Sequence, residues 1–248
     1  MDRPTVRLAA LAAALFALAA VPDGATAAPP VVVGSRVTCI EDRSADAATH
    51  QSEEAACLAA TAGEVVRRDE KLVVHTASGG EVVFDSNAAA CDSDEAEACH
   101  VVWLHSYDAT LGFAVVEEGF YEQATASLID LKTGDKVEIF SAPAFSPSGA
   151  LAVSVIADLM NEPDFELLVY DLSASPFRRV HASPRGSAGK FLRKNKDEAT
   201  FRFDGWDGET RVRLLATDGA DGGSKPNEAA VVLEQTKGKW TLKAAKRK

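Results

Sequence analysis

From Gly63 onward the chain sets short apolar clusters between charged or glycine-containing breaks. The stretch EVVRRDEKLVVHTASGGEVVF reads as strand, turn, strand, turn, strand, because Val-rich clusters bounded by turn residues fit a pleated, half-buried surface. CDSDEAEAC interrupts as an acidic loop, and HVVWLHSYDATLGFAVVEEGFYEQATASLIDLKTGDKVEIF resumes the strand pattern. Lys132-Thr133-Gly134-Asp135 is a hairpin connection, with glycine where a positive φ is needed. Pro163 disfavours helical geometry at Glu162 and places a polar loop at Met160–Asp164. Residues 28–62 differ: they are rich in Ala, Ser, Asp and Glu, and AATHQSEEAACLAAT is read as a short helix. The expected fold class is all-β with little helix.

The pattern repeats. HSYDATLGFAV (105–115) aligns with FSPSGALAVSV (145–155), placing Ser106 on Ser146, Asp108 on Ser148, Leu111 on Leu151 and Val115 on Val155. LIDLKTG (128–134) aligns in turn with VYDLSAS (169–175). A weaker third copy puts Asp197 and Glu198 in the turn, Phe201 and Phe203 in the strand after it, and VRLLATDG in the next strand. The period is about 40 residues with two hairpins per unit, the spacing of a β-propeller blade. Such a unit cannot bury both sheet faces alone, so neighbours must stack on it. Phe145-Ser146-Pro147-Ser148-Gly149 followed by Val169-Tyr170-Asp171 resembles the blades of WD40-like and TolB-like propellers. Those blades carry Phe-Ser-Pro-Asp-Gly and then an aliphatic–aromatic–Asp strand. Ser148 stands where they carry an acid, no Trp-Asp pair is expected to close a strand, and the chain has no Gly-His signature. The resemblance implies a propeller-like stack of four to five antiparallel blades over residues 63–248, with a β-sandwich of hairpins as the alternative. By repeat equivalence, loops 105–109, 141–149 and 182–189 are expected to line one rim.

The ends and the charge add a location. Arg3 and Arg7 precede an uncharged run from Leu8 to Val21, and Ala25-Thr26-Ala27 supplies small residues for cleavage. Residues 1–27 are therefore expected to be a secretory signal peptide. The run is shorter than the roughly 20 residues of a membrane span, and no later run could span, so the mature chain should carry no transmembrane segment. The net charge of −11 argues against nucleic acid as a partner. Four cysteines, Cys39, Cys57, Cys91 and Cys99, imply two disulfides in an oxidising compartment. Of the three pairings the local one, Cys39 with Cys57 and Cys91 with Cys99, is favoured within a disulfide-containing segment (28–62) and the acidic loop. The expected location is periplasmic or extracellular.

No motif rises to a catalytic, cofactor or metal site. Asp204, Asp207 and Glu209, and Asp218 and Asp221, lie in glycine-containing loops that could offer oxygens to calcium, but Asp-Gly is also a common hairpin turn. His50, His75, His100, His105 and His181 show no ligand spacing, and His100 and His105 are placed to face opposite sides of a strand. PRGSAGKF has glycines too close for a phosphate loop and reads as a turn between repeats. The tail KGKWTLKAAKRK is basic and could make weak contact with an anionic envelope surface. The sequence thus points to an exported, non-catalytic binding or scaffolding protein for an unknown protein or polymer ligand. The rivals are a carboxylate-dependent hydrolase, with or without calcium, and an envelope-associated protein held by the basic tail.

Overall fold

A computed structural model describes residues 31–33, 35–39, 47–91, 96–120, 124–156, 164–193, 199–218 and 227–245. The expected leader, most of the loop at 160–164, and Lys246–Lys248 lie outside the described residues. Strands β1 (Val31–Val33) and β2 (Arg36–Thr38) form a hairpin, and helix α1 (Ala47–Ala60) follows where a short helix is expected. Strands β3 (Val65–Arg68), β4 (Lys71–His75) and β5 (Glu81–Asp85) make the first sheet. After helix α2 (Ala88–Cys91), strands β6 (His100–Asp108), β7 (Phe113–Phe120), β8 (Ala124–Asp130) and β9 (Lys136–Ile139) run as a meander. Because β2 pairs with β6, this second sheet has six strands. Strands β10 (Ala144–Phe145), β11 (Leu151–Val155), β12 (Phe165–Asp171) and β13 (Arg178–Pro184) form the third sheet. Strands β14 (Thr200–Trp206), β15 (Arg211–Thr217), β16 (Glu228–Thr236) and β17 (Lys239–Ala244) form the fourth. The chain is all-β, with four antiparallel sheets and two α-helices among the described residues.

Three cores join the sheets in series. Leu72, Val74 and Phe84 of the first sheet pack with Leu104, Ala114, Val116 and Ile129 of the second. Phe113, Val115, Leu128 and Ile139 of the second pack with Ala152, Leu168 and Tyr170 of the third. Val153, Leu167 and Val169 of the third pack with Phe201, Val212, Leu214, Val231, Leu233 and Trp240 of the fourth. Successive residues of β7, β11 and β12 therefore enter different cores, as the period of two dictates. A strand buried on both faces reads as an unbroken apolar run, which is the pattern of FAVV and LLVY.

The outward face of the fourth sheet carries ion pairs, Arg202–Glu228, Arg213–Asp204 and Lys243–Glu234. On the outward face of the first sheet, Lys71–Asp85 and Arg68–Glu81 flank an apolar row of Val66, Val73 (2% exposed) and Val83 (45% exposed).

Residues 105–115 and 145–155 are each strand, tight turn, strand, but two residues out of the aligned register: β7 begins at Phe113 and β11 at Leu151, so Ser106 lies in a strand where Ser146 lies in the turn, and Leu111 lies in the turn where Leu151 opens a strand. Asp130 and Asp171 each close a third strand, accepting from the N–H of Lys132 (2.8 Å) and Ser173 (3.1 Å). The third copy has a different register. β14 opens its sheet, so the turn equivalent to 108–112 is 207–210; Asp197 and Glu198 lie outside the described residues. Alternating phenylalanines mark an inward strand but not its rank in the meander, so the pattern at Phe201 and Phe203 fits either position.

Among the described residues the first sheet has three strands. The Ala77 N–H donates to the Leu131 carbonyl (2.7 Å), joining the β4–β5 turn to the β8–β9 turn. Helix α1 packs against β2, β3 and β6. There it completes the lower edge of β6. Glu54 accepts from the Leu104 N–H (3.1 Å), and Arg67, paired with Glu54 at 2.6 Å, donates to the Val102 carbonyl (2.6 Å). Cys39 and Asn87 N–H groups take the carbonyls of His105 and His100. These contacts meet the requirement that buried backbone polar groups be paired. The disulfides Cys39–Cys57 and Cys91–Cys99 are both formed. The first ties α1 to the residue after β2.

Candidate functional site

Strand direction decides which loops meet. β6, β8, β10, β12, β14 and β16 run one way, so turns 108–112, 131–135, 146–150, 172–177 and 207–210 gather at one end. Contacts between successive sheets fix them there: Ser175 Oγ donates to Asp130 (2.6 Å), and Ser148 donates to Glu209. The expectation that 105–109, 141–149 and 182–189 share a rim is corrected. Turns 108–112 and 146–150 do meet, but β13 runs back from the turn end and carries 182–189 to the opposite end.

At the turn end the Ser-Pro-Ser-Gly turn is the most elaborated. The Ser146 N–H donates to the Leu151 carbonyl and the Gly149 N–H to the Ser146 carbonyl, which closes the turn. The Leu151 N–H donates to Ser146 Oγ (3.2 Å) and the Ala150 N–H to Ser148 Oγ (3.2 Å). The two hydroxyl oxygens lie 3.5 Å apart, and either could donate to the other. The Ser148 N–H donates to Glu209 Oε1 (2.9 Å) and its hydroxyl to Oε2 (2.6 Å), gripping both carboxylate oxygens. The Ser148 hydroxyl holds the Glu209 carboxyl below its ordinary value, with Ser146 and the Ser148 N–H adding to the effect.

Arg36 stands on the other side of the same turn. Its guanidinium lies over the Phe145 ring, 4.6 Å from the centroid. Gly149 approaches Arg36 Nη2 and Leu111 Cδ1 closely, and its φ of +78° is the conformation that favours glycine. Among the described residues the buried Nε of Arg36 has no hydrogen-bond partner. Burial draws its pKa down and the charge of Asp108 raises it. Asp108 is itself occupied, accepting from Ser35 Oγ (2.7 Å) and from the N–H groups of Thr110 and Leu111.

The acidic loops do not converge. Asp204 pairs with Arg213, Asp207 with Arg211, Glu209 with Ser148, and Asp218 accepts from the Asn227 N–H (2.9 Å); Asp221 lies outside the described residues. Among the described residues no group of three His, Cys, Asp or Glu side chains is placed to hold a metal ion. His75 lies by Glu81, His100 by Glu118 and stacked on Phe120, and His105 at a bulge of β6. His181 bonds Ser183 at 2.8 Å, and burial lowers its pKa. PRGSAGKF forms the turn and short 3-10 helix linking the third sheet to the fourth.

That link holds a carboxylate the sequence did not single out. Glu166, 2% exposed, accepts from the Ala188 N–H (2.7 Å) and from Gly186 and Ser187. Burial raises its pKa, and the three N–H groups with the charge of Lys190 oppose that without cancelling it. The glycine spacing of PRGSAGKF does aim backbone amides at an anion; the anion is a side chain of the same protein. In the basic tail, Lys243 of β17 pairs with Glu234, and Trp240 is buried in the last core.

No family model matches this chain, and no curated protein matches it.

Proposed function

We infer that the protein is an exported, non-catalytic binding module. It is built as an open, propeller-like stack of four blade-like sheets and meets its partner with the turn end. The observation that carries this reading is the turn end itself. Equivalent turns of neighbouring sheets are hydrogen-bonded into one surface, and Arg36 lies there on an aromatic ring with its Nε unmatched. The ion pairs on the outward face of the fourth sheet suit a capping repeat and favour an open stack over a closed ring. Both disulfides support export. The hydrolase reading needs two acids sharing a cleft; Glu166, the carboxyl raised by burial, faces three amides and Lys190 instead.

The test compares capture of envelope components by the immobilised mature chain and by variants at either end. Thr110→Arg with Thr210→Arg should lose the captured partner, while Glu70→Lys at the opposite end should keep it. Capture indifferent to the turn end, or substrate turnover abolished by Glu166→Gln, would overturn the reading.

A further inference from the structure

The Ser-Pro-Ser-Gly turn is furnished for a carboxylate. Its N–H and hydroxyl donors are spaced for two oxygens of one acid, and the Ser148 hydroxyl donates to the carboxylate while accepting from the Ala150 N–H. Charge-assisted hydrogen bonds of this kind are short and selective for the ionised form. The present occupant, Glu209, is exposed and comes from the tip of another turn, beside Gly208 at φ +71°. A solvent-exposed contact of this sort has a small net free energy, so exchange for another carboxylate is cheap. Both Glu209 oxygens are held by Ser148, with the Ser146 hydroxyl adding, while Arg36 lies past Gly149 on Phe145.

We propose that this turn is a receptor site for an acidic side chain presented on a tight turn of a partner protein, that Glu209 is its displaceable internal occupant, and that Arg36 adds the matching charge for the incoming carboxylate. The proposal rests on the binding-module reading and names the chemistry of its surface. It also gives Ser148 a role: an aspartate there would repel the carboxylate that serine receives. The internal occupant keeps the site closed to weak anions, and a partner must compete with it. This lowers apparent affinity by the fraction of time the site is occupied.

The probe is a fluorescent capped tetrapeptide, Asp-Gly-Glu-Thr, copying residues 207–210, with an Asp-Gly-Gln-Thr control. Anisotropy is read against the full mature chain. Glu209→Ala should bind the glutamate peptide at least about tenfold more tightly than wild type, a gain of about 1.4 kcal/mol, and should not bind the glutamine control. Adding Ser148→Ala or Arg36→Gln should abolish the gain, with circular dichroism confirming the fold; if Arg36→Gln unfolds, Ser148→Ala decides alone. Equal affinity of wild type and Glu209→Ala, or a gain that survives Ser148→Ala, would overturn the proposal. Either result leaves the turn-end capture experiment standing. If that capture is lost only through Thr110 and Thr210, the turn end binds by another route.

Discussion

At the scale of single residues, the carboxylates divide by environment. Glu209 and Asp171 sit below their ordinary values, Glu209 through the Ser148 hydroxyl and Asp171 because donation from Ser173 and Arg178 outweighs its burial. Glu166 is shifted the other way by burial. In the folded chain it keeps a proton that the unfolded chain has already released at the same pH. Its contribution to stability is therefore full below the ordinary glutamate value, about 4.3, and is lost as pH rises through the raised value. Wild type should lose stability relative to Glu166→Gln across that window, read as the difference between their urea midpoints at successive pH values. A difference that is flat with pH would mean the carboxyl is not raised. Ser148 was visible in the sequence as the departure from the Phe-Ser-Pro-Asp-Gly pattern. Its partners were not, because Glu209 lies 61 positions away and a turn carboxylate carries no mark of the neighbour it will meet.

At the scale of elements, the meanders were legible and the exceptions were not. Val-rich clusters and Asp-capped turns place β3 to β5 and β6 to β9 from the period of two alone. The same signal could not rank Phe201 and Phe203 within their sheet, nor show that α1 would cover the edge of β6. That cover depends on one ion pair. Glu54 and Arg67 are paired in two-oxygen contact, with side chains 10% and 25% exposed, and between them they satisfy both Leu104 N–H and Val102 C=O. Removing one member strands a partly buried charge and a backbone donor. Glu54→Ala should therefore cost about 3 kcal/mol in urea unfolding. A loss under about 1 kcal/mol would show that water replaces the pair at the edge of β6.

At the scale of the whole molecule, each core among the described residues joins one sheet to the next in the series, and ion pairs lie on the outward faces of the first and fourth sheets. The forty-residue period led to the expectation of stacking because one such unit cannot bury both sheet faces alone. It could not foretell closure, which depends on the outward faces of the first and last units, and those carry the least regular sequence. Stacked sheets lie about 10 Å apart, so an open series sets the first sheet about 30 Å from the fourth, whereas a closed ring of four brings them to about one sheet spacing. The most direct measurement is the electron–electron distance between spin labels at Val83 on β5 and Lys243 on β17, both exposed on outward faces. The open stack predicts a distance distribution centred at about 30 Å or longer. A distribution centred near 10 to 15 Å, about one sheet spacing plus the labels, would contradict it.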